Sequence, residues 1–291
     1  MIEGKKHHGK VILFGEYTVI HTGEALALPL RRIYGRLTDK PPYHPQSAKY
    51  IRAFFQYLET TQLPHDVSIG IDEWKEDLNQ GLYLETNAAI GYGIGSSGIL
   101  TAGIFKRYAI LKHKLSLIQL KEVLAVMESF FHGNSSGIDP LISYIGQPIR
   151  TLNSQIELLD GLNNECLRQF YLYDTGIPRN TQPLVKWYKS QMSDETFAEA
   201  MTHMSNLVSQ LIHSITIGNI QELTLLMKQL SAHQLIHLDG LIPDQVKNIW
   251  VEGLENDDYY MKLCGAGGGG YMLIYGLNKL PQKKESILPI I

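Results

Sequence analysis

The order of apolar and polar positions along the chain predicts a strand-rich beginning, a mixed middle and a helical second half. Residues 9–38 open with VILFGEYTVI and continue with ALALPLRRIYGRLT. These runs of β-branched, aromatic and aliphatic residues, punctuated by Gly15 and Gly23, predict strands. The proline-rich DKPPYHPQSA predicts a loop, and AKYIRAFFQYLETT a helix. VSIGID and GLYLETN are each expected to be strands. A glycine-rich stretch then leads into a helical run, GILTAGIFKRYAIL. Ser116 and Gln119 form a capping box for a further helix, in which Leu120, Val123, Leu124, Met127 and Phe131 recur at helical spacing. Gly133 supplies its stop. FYLYDTG predicts another strand. Residues 182–255 are helical in pattern, broken near Gly218 and at HLDGLIP. Two short strands, YYMKLCGA and YMLIYGL, flank GAGGGG. The tail KLPQKKESILPII fits either a last edge strand or a frayed end, and there is no internal repeat.

Composition narrows the class without choosing a function. Of 291 residues, 44% are hydrophobic and 19% charged, which is ordinary for a globular protein. The length suits one large domain or two of moderate size sharing a cleft. A formal net charge of −3 brings no general attraction to nucleic acid. Cys166 and Cys264 are the only cysteines, which points to a reducing compartment and not to a disulfide framework. The N-terminal apolar run VILF is too short for the core of a secretion signal, and no window reaches the apolar length of a membrane span. The expectation is a soluble cytoplasmic protein without nucleic-acid or membrane partners. The sequence does not give the oligomeric state, and a homodimer is compatible with it.

The stretch GIGSSG, residues 93–98, matches G-x-G-x-x-G. That spacing serves a dinucleotide-binding turn, and an equally glycine-rich loop can wrap the phosphates of ATP. The first reading needs a second strand ending in an acidic residue about 20 residues beyond the glycines. There the chain reads LIQLKEVLAVMESFF, of helical period, and Glu122 falls on that helix. The Walker-A pattern G-x-x-x-x-G-K-[ST] has no match either. The physics of the loop outlives both motifs. Glycines let successive amides point the same way, and a helix starting there adds the positive end of its dipole. Ser96 and Ser97 put two hydroxyls at that end, where they can donate to a phosphate oxygen or ligate Mg²⁺. The plain alternative is a glycine turn with a serine N-cap.

Other positions carry candidate chemistry, each with a plain alternative. Glu128 sits in the last turn of the helix begun at Ser116. A carboxylate there meets the negative end of the dipole, and a cation would reverse the sign; taken singly, it reads as a solvated surface residue. Asp139, in HGNSSGIDPL, reads as an N-cap followed by Pro at the first helical position. It also reads as a carboxylate sharing phosphoryl-transfer work with Glu128. Lys10 precedes a strand, where lysines are usually solvated. Pointing into a cleft beside Asp139, it would keep that Asp ionised and offset charge on a transferred group. Arg179 and Thr181, in DTGIPRNT, follow a strand, and Thr181 also reads as a helix cap. GAGGGG, residues 265–270, is too glycine-rich for a turn alone. Consecutive glycines cost entropy, so a close approach of backbone to something is expected. His7, His8 and His21 show no metal-ligand spacing.

Taken together these segments resemble the GHMP kinase superfamily and, within it, the mevalonate kinases. GKVILFGEYTVIHTGEALALPL is similar to the first motif of that family. GYGIGSSG is similar to its phosphate loop, commonly G-L-G-S-S-A, and KLCGAGGGGYML to its third motif. HGNSSGIDPLISYIGQP resembles the H-G-x-P-S-G-x-D block of mevalonate kinases, and DTGIPRNTQPLV their T-x-x-P-R-x-T segment. The matches run from residue 9 to about residue 274.

The resemblance implies an α+β fold of two domains with the site between them. Residues 1–180 would be ribosomal-protein-S5-like, ATP-binding and catalytic, and residues 181–291 ferredoxin-like. It implies Asp139 as the catalytic Asp, Lys10 as the active-site Lys, and Glu128 and Ser97 as Mg²⁺ ligands. Gly91, Gly93, Gly95, Ser96, Ser97 and Gly98 would cradle ATP. Glu16, Tyr17, Thr181, Gly265 and Ala266 would lie beside the acceptor. The chain departs from the pattern at four places: Tyr17 where mevalonate kinases usually carry His, Ala89 and Ser135 where Pro is customary, and Gly98 where Ala is common. None of these removes a catalytic residue. The implied activity is ATP- and Mg²⁺-dependent phosphorylation of a primary hydroxyl on a small molecule, with mevalonate as the acceptor. Because Tyr17 departs from the pattern, phosphomevalonate kinase or another superfamily kinase stays open. So does a catalytically silent relative that binds nucleotide or metabolite as a sensor.

Overall fold

The computed structural model describes residues 2–89, 92–153, 155–179, 181–281 and 287–291. From the N-terminus come strand β1 (His7–Phe14), the single helical turn α1 (Val19–Thr22), the long strand β2 (Ala25–Thr38) and helix α2 (Pro45–Thr60). Strand β3 (Val67–Ile69), helix α3 (Ile71–Asn79), strand β4 (Tyr83–Thr86) and helix α4 (Ser96–Tyr108) follow. Next are β5 (Ala109–Leu111), α5 (Leu117–His132), α6 (Ile138–Ile145), β6 (Ile149–Leu152), β7 (Gln155–Leu158) and α7 (Asn164–Leu167). The remainder runs β8 (Phe170–Asp174), α8 (Thr181–Gln191), α9 (Glu195–Ile217), α10 (Ile220–His237) and α11 (Asp244–Asn256). It closes with β9 (Tyr259–Leu263), β10 (Tyr271–Gly276) and β11 (Ile287–Pro289). The mixture is the expected α+β class.

The chain divides into two compact units that interleave in sequence. One comprises Met1–Lys10, Pro29–Ala89 and Ile94–Gln147; the other comprises Val11–Leu28, Ile90–Gly93 and Pro148–Ile291. The boundary expected at residues 180 and 181 falls inside the second unit. β1 and β2 each continue from one unit into the other, and a run of strand-forming residues carries no mark of where its neighbours change.

In the first unit the far half of β2 pairs antiparallel with β4, Gly35 opposite Thr86 and Thr38 opposite Tyr83, and β3 pairs with β5. Residues 98–105 of α4 are all buried, the pattern of a helix surrounded by protein, and α5 and α6 pack against it. α5 begins with the expected capping box: Ser116 Oγ accepts the Gln119 N–H, and the Gln119 side chain accepts the Ser116 N–H. It ends at Gly133 in the left-handed conformation. α3 was not anticipated. The strand expected over VSIGID stops at Ile69. Beyond Gly70, Asp72 and Glu73 fall in a first helical turn, where the dipole favours carboxylates, and Trp74 and Leu78 are buried one turn apart.

In the second unit the first residues of β2 pair with β6, and β6 with β7. A four-stranded antiparallel sheet has the order β11-β8-β10-β9. Numbered along the chain these strands read 4-1-3-2, the split β-α-β order of a ferredoxin-like sheet. α10 and α11 pack on β9, and α9 packs on α10. Of the tail, Ile287–Pro289 form the edge strand β11. β9 and β10 are buried at every position, which removes the in-out alternation of a half-exposed strand. No helix among the described residues is long and apolar enough to cross a membrane.

Candidate active site

Four of the predicted residues meet in the first unit. The last of its β1 residues, Lys10, is fixed by its own amide, which donates to the Ile94 carbonyl at 2.9 Å. Its side chain is 7% exposed, and Nζ lies 3.0 Å from Asp139 Oδ2. Asp139 stands in the first turn of α6, whose N-cap is Gly137 in the left-handed conformation. The expected capping role of Asp139 is therefore taken by glycine, and the carboxylate is left for Lys10.

Glu128 corrects its surface reading. It is only 3% exposed, in the last turn of α5, and its two carboxylate oxygens accept from Ser97 Oγ at 2.9 Å and from Ser135 Oγ at 2.5 Å. Burial pushes its pKa up to about 7, and the neighbouring Asp139 charge pushes the same way; Ser135, Ser97 and Lys10 pull against them. Ser97 Oγ also lies 3.1 Å from His132 Nε2. Sequence reasoning missed His132 and Ser135 as site residues. Both stand in the HGNSSGID block, and Ser135 was visible only as a departure from pattern.

The start of α4 completes this cluster. Gly95, at φ +81°, is its N-cap, so neither serine caps the helix, as the plain alternative had them do. The first intrahelical bond runs from Ile99 N–H to Gly95 C=O. The amides of Ser96, Ser97 and Gly98 precede it and are not used by the helix itself. The Lys10 side chain passes beside Gly95, where a Cβ would lie 3.1 Å from Lys10 Cγ. A cation and three helix-end amides thus share one corner, which suits an anion.

Gly98 serves the same junction. A Cβ there would lie 2.9 Å from the Asp139 carbonyl carbon and 3.0 Å from the Pro140 nitrogen. Glycine lets the first turns of α4 and α6 touch. We expect Gly98→Ala to push them apart at a cost of about 1–3 kcal/mol. A lowered unfolding midpoint is the expected result. A variant as stable as the parent would show that the turns separate at no cost.

The other predicted residues belong to the second unit, apart from Gly91, which lies outside the described residues. Arg179 packs where a Cβ on Gly93 would sit, stands 3.1 Å from a Cβ built on Gly265, and donates to the Cys264 carbonyl at 2.9 Å. Tyr17, at φ +64°, stacks on Tyr188 with ring centroids 4.4 Å apart and donates its hydroxyl to the Ala266 carbonyl at 2.7 Å. Burial raises its pKa well above the ordinary tyrosine value, so the ring stays neutral. Glu16 is an internal anchor in its contacts: Oε1 meets the fully buried Lys262 Nζ at 2.7 Å and Gln234 Nε2 at 2.7 Å. Thr181 is exposed and opens α8. The glycine run approaches protein, as its packing shows. Gly268 N–H donates to Leu241 C=O and Gly270 N–H to Ile177 C=O, both at 2.7 Å, and a Cβ on Gly268 would strike the Leu184 side chain.

The fold in which these residues sit is that of the GHMP kinases. Within that class the chain is similar to mevalonate kinases over most of its length. The mevalonate kinase of Pyrococcus horikoshii is 24% identical over 289 residues, covering 90% of this chain and 85% of that protein. The structure of L. major mevalonate kinase in complex with R-mevalonate matches with a TM-score of 0.65 at 19% identity, covering 98% of this chain and 89% of that one. Streptococcus pneumoniae phosphomevalonate kinase in complex with phosphomevalonate and AMPPNP matches with a TM-score of 0.60 at 14% identity, covering 96% and 93%. No protein-family model matches the chain.

Proposed function

We propose that this chain is an ATP-dependent kinase that phosphorylates a primary hydroxyl of a small molecule, with mevalonate as its acceptor. The observation that carries this reading is the Lys10–Asp139 pair at 3.0 Å, beside the first turn of α4 and the Ser97–Glu128 pair. Phosphoryl transfer asks little covalent chemistry of a protein and much positioning and charge compensation. The amides of Ser96, Ser97 and Gly98 would hold phosphate oxygens. Lys10 would offset charge gathering on the transferred group. Asp139 would accept or orient the proton of the acceptor hydroxyl.

The donors suit Mg²⁺. The Glu128 carboxylate and the Ser97 hydroxyl are hard oxygen ligands 2.9 Å apart. Mg²⁺ characteristically takes one or two carboxylates and draws its other ligands from phosphate and water. Among the described residues no three of His, Cys, Asp or Glu gather as a metal-holding group, so the nucleotide would complete the set. When bound, the ion would neutralise phosphate charge. ATP supply fits the cytoplasmic expectation, as do Cys166 and Cys264, two buried cysteines that form no disulfide with each other.

Mevalonate, phosphomevalonate, homoserine and a hexose, each offered with ATP and Mg²⁺ in a coupled ADP assay, test the reading. Mevalonate is expected to turn over fastest. ADP release with none of them would count against a kinase of this class and favour a sensor. One observation favours phosphomevalonate as a second reading. Tyr17 stands where mevalonate kinases usually carry His, and its hydroxyl is committed to Ala266. Faster turnover of phosphomevalonate than of mevalonate would replace the acceptor and keep the mechanism.

A further inference from the structure

We infer that Ser135 is a positioning residue for Glu128 and, through it, for the metal-bound nucleotide; this builds on the reading of Glu128 and Ser97 as metal ligands. Ser135 lies in the loop between α5 and α6. Its hydroxyl accepts the Gly137 N–H at 3.0 Å and donates to Glu128 Oε2 at 2.5 Å. A hydroxyl has one proton. With that proton committed to Glu128 and a lone pair to Gly137, the orientation of the group is set at both ends. Gly137 is the N-cap of α6, so the hydroxyl ties the turn that carries Asp139 to the Glu128 carboxylate. The other carboxylate oxygen takes Ser97 Oγ at 2.9 Å. Two hydroxyls from two different elements therefore clamp one buried carboxylate.

A buried charge keeps its geometry only where donors are supplied, and hydrogen bonds to a charged acceptor are about twice as strong as neutral ones. Proline, customary at this position in the resembled family, has no proton to give. This chain holds its carboxylate by a contact that the family pattern lacks.

The test titrates Mg²⁺ into the protein with ATP present, reads nucleotide binding by calorimetry, and records the unfolding midpoint of each variant. Ser135→Ala is expected to raise the Mg²⁺ concentration for half-maximal binding by about tenfold. Binding of ATP without Mg²⁺ is expected to change little. Ser135→Thr keeps the donor and is expected to stay within about twofold of the parent. Ser135→Pro is expected to follow Ser135→Ala. Glu128→Gln is the control for the underlying reading and is expected to abolish the Mg²⁺ dependence. A parental Mg²⁺ requirement in Ser135→Ala, with Glu128→Gln impaired, would overturn the positioning role and leave the metal ligands standing. A parental requirement in Glu128→Gln would overturn both. Equal shifts in the Thr and Ala variants would assign the effect to packing and also overturn the inference. Where Ser135→Ala fails to fold, the Thr and Pro variants carry the same comparison.

Discussion

Asp139→Asn is expected to slow phosphoryl transfer by about a hundred- to ten-thousandfold while nucleotide binding stays within a few-fold of the parent. The amide keeps the shape of the first turn of α6 and removes only the charge and the basic oxygen that, on the proposed reading, would face the acceptor hydroxyl. The same change strips Lys10 of its partner at 3.0 Å. Removing one member of a fully buried ion pair costs about 3–5 kcal/mol. The Asp139 side chain is 33% exposed, so solvent reduces the cost here to about 1–2 kcal/mol. A second substitution separates the two effects. Lys10→Met, added to Asp139→Asn, is expected to recover the lost stability and none of the lost turnover. Steady-state rates with the best acceptor, alongside thermal unfolding, check both. Parental turnover in Asp139→Asn would remove this residue from the chemistry and leave it as a counter-ion.

Glu128→Gln is expected to stabilise the empty protein above neutral pH and to leave the enzyme nearly inactive. In the folded protein the group titrates at about 7 against an ordinary value of 4.5. Folding therefore holds a proton that the unfolded chain has already released. The stability this contributes is full below about pH 4.5 and is lost as the pH rises through about 7. The difference corresponds to roughly 3 kcal/mol at most. At pH 8 the parent buries a charge that Gln does not carry, and the variant is expected to gain about 1–3 kcal/mol. At pH 5 the two are expected to be nearly equal. Function runs the other way. As the proposed Mg²⁺ ligand, Glu128 would have to be ionised, so the apparent Mg²⁺ affinity of the parent is expected to fall toward tenfold per pH unit below 7, a dependence absent from Glu128→Gln. Unfolding midpoints across this range, with and without Mg²⁺ and nucleotide, measure both arms. A Gln variant less stable than the parent at pH 8 would mean that Ser97, Ser135 and Lys10 more than offset the burial of the charge.

Much of the site was legible as a set of motifs and little of it residue by residue. Lys10 alone reads as a solvated strand-end lysine, Glu128 as a surface carboxylate and Asp139 as a helix cap. Their joint resemblance to one family is what selected them. Ser135 was legible only as a missing proline, since nothing in HGNSSGID says which carboxylate a serine will meet. Glu16 was legible in a different way. Its motif implies a place beside the acceptor, but says nothing of its contacts, which are with Lys262 and Gln234, far along the chain in β9 and α10. α3 escaped because VSIGIDEWKEDLN mixes a strand signal with a helical one, and the break came at Gly70.

What the sequence determined by itself is local or cumulative. The capping box at Ser116 and Gln119, the stop at Gly133, the two strands around GAGGGG and the family resemblance all depend on neighbours in the chain or on motifs summed along it. What only the tertiary structure decided is which charges are buried and what they face. It set Lys10 against Asp139, withdrew Glu128 from water between two serine hydroxyls, and divided the strands between two interleaved units. The reason is physical: the energy of an ionised group depends on the solvent it loses and the partners it gains, and both come from segments that chain order leaves far apart.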